Sequence, residues 1–198
     1  MAKHFAGFVL GVAALVCSMT AQAAYTVTLN QVGADVVATG SGSFNLAGVP
    51  TVSPPVAAGI IPSDTAMVLG ATAPTTVYLL PVSGPTAFGP GGLAWASASA
   101  GPAVGINRNS GQVGVPVGYV NGSALGTSSA TWAGQTLAGM GAAPGTYVWT
   151  WGSGPTADSF TLIVGGASNI PTLSEWGAVS LAAALGLLGF ATLRRRRG

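Results

Sequence analysis

The stretch PGTYVWTWGSGPTADSFTLIV, residues 144–164, decides the fold class. Within Thr146–Trp151 the large side chains Tyr147, Trp149 and Trp151 fall on alternate positions, as do Phe160, Leu162 and Val164 within Ser159–Val164. That period of two marks strands with one face turned to a core. Gly152–Ala157 between them reads as a turn. Upstream, Ala130-Thr131-Trp132 ends another strand, and a Gly-rich crossing over 133–143 leads into Pro144. The same alternation opens the body. Tyr25-Thr26-Val27-Thr28-Leu29 is followed by a turn over Asn30–Ala34 and a returning, Gly-interrupted strand over Asp35–Leu46, which predicts a hairpin. Further strands are predicted near Ala66–Leu69, Thr76–Leu80, Gly92–Ala98, Val104–Ile106, Gln112–Val115 and Ser128–Trp132. Gly48–Pro62 and Gly84–Gly92, rich in Pro and Gly, read as long loops without a core of their own.

No long helical period interrupts residues 24–169, so the body is predicted to be all-β. A body of this length buries roughly two-thirds of its unfolded surface and needs no disulfide. Its predicted core is Tyr25, Val27, Leu29, Val37, Leu69, Leu80, Trp132, Tyr147, Trp149, Trp151, Phe160 and Leu162. The closing strands resemble those of an immunoglobulin-like β-sandwich, and Pro144-Gly145-Thr146-Tyr147 resembles its tyrosine corner. The fold expected is therefore an immunoglobulin-like β-sandwich flanked by an N-terminal signal helix and a C-terminal transmembrane helix. Without a Cys pair the resemblance is one of architecture alone.

Charge narrows the function. Only about 5% of the 198 residues are charged, against a globular norm near 25%. Between residues 24 and 169 stand Arg108, Asp35, Asp64 and Asp158, a net of −2, so the basic character of the whole chain belongs to its ends. A phosphate-binding surface needs clustered Lys and Arg, which argues against nucleic acid. The body contains no His, Lys or Cys, so groups that move protons or attack carbonyls near neutral pH are lacking. A non-enzymatic protein without cofactor or metal is expected. Asp35, Asp64 and Asp158 sit beside Gly, Ala or Ser in turns and do not form a calcium loop, so turn and cap duty is predicted for them. Arg108 is placed at a polar hairpin tip, and Gly89-Pro90-Gly91-Gly92 lacks the Lys-Ser/Thr ending of a phosphate loop.

Residues 1–23 have the three parts of a secretory signal: a basic start at Lys3 and His4, an apolar run Phe5–Val16, and small residues ending Ala21-Gln22-Ala23. Cleavage is predicted between Ala23 and Ala24, which implies the Sec translocon and signal peptidase as partners. The apolar run is shorter than the roughly 20 residues of a membrane span, so an uncleaved anchor is the weaker reading.

At the other end, Ala178–Leu193 is an apolar run that would extend roughly 24 Å as a helix, followed by Arg194, Arg195, Arg196 and Arg197. Residues 178–193 are read as a transmembrane helix and 194–198 as its cytoplasmic stop, with the body on the far side. Trp176 suits the headgroup region. Before this span stands Ile170-Pro171-Thr172-Leu173-Ser174-Glu175-Trp176-Gly177. Motif, helix and arginine cluster together closely resemble the IPTL-CTERM sorting tail of Gram-negative bacteria, which is similar in plan to the PEP-type tails handled by exosortases. The resemblance implies that an exosortase-like membrane transpeptidase recognises Ile170, Pro171, Thr172 and Leu173, with Trp176 and Gly177 completing the motif. It implies passage through the inner membrane to the cell surface or extracellular matrix, in cells that commonly make exopolysaccharide. Pro171 keeps the motif extended and accessible. A permanent single-span anchor remains the alternative. The body's ends, YTVTLNQVGADVVATGSGSFNLAG (25–48) and PGTYVWTWGSGPTADSFTLIVG (144–165), resemble passenger domains of secreted proteins with such tails, a likeness that carries no chemistry.

Two roles follow for the body: a structural matrix component, or a carbohydrate-binding or adhesive module. For the second, the shared face of Tyr147, Trp149 and Trp151 is the candidate ligand platform. Core packing competes for the same three rings.

Overall fold

The computed structural model describes residues 23–165. The predicted signal helix, sorting motif, transmembrane helix and arginine stop lie outside these residues. Among the described residues the strands are β1 (Ala24–Val32), β2 (Asp35–Gly42), β3 (Val49–Val56), β4 (Gly59–Ile61), β5 (Ala66–Leu69), β6 (Ala73–Leu79) and β7 (Ala94–Trp95). They continue with β8 (Ala98–Ala100), β9 (Val104–Asn107), β10 (Gln112–Pro116), β11 (Leu125–Trp132), β12 (Gly145–Trp151) and β13 (Asp158–Val164). A six-stranded sheet has the order β12-β13-β1-β2-β11-β8, and a seven-stranded sheet the order β3-β6-β10-β9-β5-β4-β7.

The alternation of β1 is what joins the two sheets. Tyr25, Val27 and Leu29 have no exposed surface, and they meet Phe160, Leu162 and Val164 of β13 in one buried cluster with Ile60, Met67, Leu69, Val104, Ile106, Val113 and Val115 of the other sheet. Tyr25 stacks on Phe44 with ring centroids 5.0 Å apart and on Phe160 at 5.7 Å. The β1–β2 hairpin turns on Gly33–Ala34, where Gly33 takes the left-handed φ of +61° that a tight two-residue hairpin turn favours.

The all-β, two-sheet class is as expected, and so is the corner: the Tyr147 hydroxyl donates to Ala143 O at 3.0 Å. The strand order departs from the ABED/CFG division of an immunoglobulin domain. Here the opening and closing hairpins share one sheet, because β1 runs parallel to β13 with Tyr25 opposite Phe160. Pairing between the two ends of a body is a long-range event that local periodicity does not encode.

Other expectations shift in detail. Val36, not Val37, fills the core; in a Val-Val pair alternation leaves the choice to the register with β1. Gly48–Pro62 contains β3 and β4 rather than a plain loop. Its prolines are compatible with a strand because β3 is an edge: Pro50 pairs in register with Tyr78, and Pro54 and Pro55 fall where the register with β6 shifts, between Ser53 and Val56. Gly84–Gly92 has no strand, yet Phe88 within it is buried against Tyr147 and Trp149. The single strand expected near Gly92–Ala98 is divided into β7 and β8, which belong to different sheets.

The outer face of the six-stranded sheet substitutes hydroxyls for charge. Thr28 faces Thr39, Thr26 faces Thr161, and Ser159 faces Thr150. The outer face of the seven-stranded sheet is different in kind.

Candidate functional site

Register across the seven-stranded sheet sets one outward row: Thr51, Val77, Gly114, Gly105, Val68, Gly59 and Trp95 are successive partners from β3 to β7. Three glycines in a row of seven leave a depression. It is a groove of about 250 Å³, floored by Gly105 and Gly114 and flanked by Val77 on one side and by Trp95 and Leu93 on the other. Trp95 is 56% exposed, whereas Trp132, Trp149 and Trp151 are buried. Its benzo ring rests on Gly59, where a Cβ would come within 3.0 Å of Cε3.

A second row carries the polar groups. Asn107 lies directly opposite Gln112, and both line the groove, as do Ser53 and Thr75. The Gln112 side chain makes no hydrogen bond among the described residues; Asn107 Oδ1 accepts from Ser110 N at 3.0 Å, and its Nδ2 reaches Asp64 Oδ2 only at 3.4 Å. None of the lining side chains is charged. The groove therefore offers an aromatic plate, an apolar floor and neutral amides, equipment for holding a ligand rather than for transferring protons. On the far side of Trp95 lies a hollow of about 580 Å³ bordered by Trp132 and the 133–141 loop.

The predicted ligand platform lies elsewhere and faces inward. Trp149 and Trp151 are 1% and 4% exposed, and their indole N–H groups donate to Pro85 O at 2.7 Å and Asn45 O at 3.3 Å. Tyr147 is half-buried, stacked on Trp149 with centroids 6.2 Å apart. The three rings do share a face, but the core and the Gly84–Gly92 loop cover it.

The acidic residues are dispersed. Asp35 Oδ1 accepts from Gly134 N at 2.8 Å, and Asp64 Oδ1 accepts from Asn109 Nδ2 at 2.7 Å. Asp158, 5% exposed, accepts from Asn45 N and Ser159 N, each at 2.6 Å. Burial pushes its carboxyl up to about 6, against the lowering effect of those two donors. Among the described residues no three metal-ligating side chains come together. Arg108 is at the β9–β10 turn, its Nη1 3.4 Å from Asn109 Oδ1.

Of the processing residues, Ala21, Ile170, Pro171, Thr172, Leu173, Trp176, Gly177 and Arg194–Arg197 lie outside the described residues. Ala23 and Ala24 lie within them, and Ala24 is the first residue of β1, paired with Ser159. Sequence reasoning passed over Trp95, Leu93, Asn107 and Gln112. The available signal was weak: Trp95 stands among Ala, Ser and Gly, without the run of alternating apolar residues that marks β12 and β13.

Compared with protein families, residues 170–197 match the model described as the IPTL-CTERM motif, a C-terminal sorting tail of exosortase-type substrates. No curated protein and no solved structure matches the chain.

Proposed function

We propose that this chain is an exported protein of a Gram-negative envelope, sorted through its C-terminal tail to the cell surface or extracellular matrix, where its β-sandwich body serves a non-enzymatic, structural role. The match of residues 170–197 to the sorting tail carries this reading. The body's limits support it: β1 begins at Ala24, directly after the predicted signal cleavage, and β13 ends at Val164, six positions before Ile170. The absence of His, Lys and Cys from residues 24–169 supports a role without catalysis. The Tyr147 face gives no support to carbohydrate binding, since its tryptophans are internal. Intact-mass measurement of protein recovered from envelope and medium tests the proposal. Material running from Ala24 to the neighbourhood of Leu173 is expected. Retention of Arg194–Arg197 in every fraction would leave a plain membrane anchor instead.

A further inference from the structure

We propose that the groove on the outer face of the seven-stranded sheet binds an uncharged polysaccharide, with Trp95 as the stacking plate for sugar rings and Gln112 and Asn107 as their hydrogen-bonding partners. This goes beyond the sorting reading and is independent of how the tail is processed.

Three observations converge on that chemistry. The first is the plate. A pyranose ring has an apolar face rimmed by hydroxyls, and an exposed indole held in place is the side chain that matches such a face. Trp95 meets both conditions, being more than half exposed and seated on the backbone at Gly59.

The second is the floor. Glycine inside a strand costs backbone entropy and needs a reason. Gly105 has a packing reason, since a Cβ there would lie 3.1 Å from Met67 O. Gly114 has none of this kind: a Cβ would meet nothing nearer than Thr75 Oγ1 at 3.7 Å, and its φ is not positive. What its missing side chain does provide is the depth of the groove. From Gly114 to Trp95 the row crosses four strand spacings, about 19 Å, a length for several rings of a linear chain.

The third is the neutrality of the lining. With no charged side chain present, ionic partners gain nothing. A peptide strand docks by adding to an open ladder at a sheet edge. This groove instead lies on a sheet face, where recognition falls to side chains. The unspent Gln112 amide, with Ser53 and Thr75 along the rim, suits a ligand that is mostly hydroxyl.

The test is isothermal titration calorimetry of the full chain in a detergent without a sugar headgroup, against dextran, mannan, galactomannan and mixed-linkage β-glucan, with alginate as the charged comparison. Binding to at least one neutral polymer is expected, weakened tenfold or more by Trp95→Ala. Gly114→Ala should weaken it several-fold while leaving the melting temperature unchanged or higher, because a Cβ there makes only ordinary contacts, the nearest with Thr75 Oγ1 at 3.7 Å, and alanine loses less backbone entropy on folding than glycine. Silence with all four neutral polymers, equal binding to alginate, or unaltered affinity in both folded variants overturns the proposal. A dimer that forms without sugar and dissociates in Trp95→Ala also overturns it, in favour of a second copy as the occupant.

Discussion

The Trp95 indole lies against Gly59, its direct partner in the β4–β7 pair, so that a Cβ on Gly59 would sit 3.0 Å from Cε3 and 3.5 Å from Cζ3. The ring shields a backbone position that has no side chain of its own, in the manner of cross-strand aromatic–glycine pairs. Gly59→Ala should therefore do two things at once. It should destabilise the protein by about 1–3 kcal/mol through overpacking, since Ala94 O also stands 2.9 Å from the new carbon. It should also swing the indole outward, read as stronger acrylamide quenching of the tryptophan fluorescence. Unchanged quenching would mean the ring is not held by this contact.

Two tyrosine hydroxyls should respond differently to removal. Tyr147 Oη donates to Ala143 O at 3.0 Å and ties β12 to the crossing that precedes it. Tyr147→Phe is expected to cost about 1 kcal/mol in denaturant unfolding. Tyr25 Oη is buried and makes no well-formed hydrogen bond, the Ser128 hydroxyl beside it being spent on Pro102 O, so Tyr25→Phe should leave stability unchanged or raise it by about 1 kcal/mol.

Asp158 makes a pH prediction with an unusual sign. Its folded pKa of about 6 lies above its ordinary value of 3.8, because burial outweighs the two backbone donors. Between those values the folded protein holds the proton more tightly than the unfolded chain does. The contribution of Asp158 is thus fully present below about pH 4 and is lost as pH rises through 6. The melting-temperature difference between the parent and Asp158→Asn should move by several degrees in the parent's favour as pH falls from 7 to 4.5. A difference that stays constant over that range would contradict it.

For the tail, Pro171→Ala should leave membrane insertion intact, since the apolar run 178–193 is untouched, yet stop tail removal. A proline disfavours helical geometry in the residue before it, and an alanine at 171 would lift that restriction. The check is the intact mass of the variant, in which Arg194–Arg197 should persist; cleavage at the parental level would count against recognition of the motif.

Much of this molecule was legible from its residues. The alternation of Tyr25, Val27 and Leu29 and of Phe160, Leu162 and Val164 marked strands and their inward faces, because side chains of an extended chain must point to opposite sides whatever surrounds them. The tail was legible for a similar reason: its match over residues 170–197 rests on residue types in linear order, with no need of a partner from elsewhere in the chain. The strands β3 and β4 were hidden by their Pro and Gly, which mean loop in isolation; only with neighbours in place is β3 an edge strand and β4 a short strand paired on both sides, between β5 and β7.

The sequence alone thus determined that segments such as β1, β12 and β13 are extended and which of their side chains share a face. Tertiary structure alone decided what covers each face. Trp149 and Trp151 are internal because the Gly84–Gly92 loop closes over the first and Phe44 and Asn45 over the second; Trp95 is open because β7 is a two-residue edge strand whose indole meets no covering element among the described residues. Alternation is a property of the chain's own stereochemistry, whereas burial depends on partners that arrive from far along the sequence.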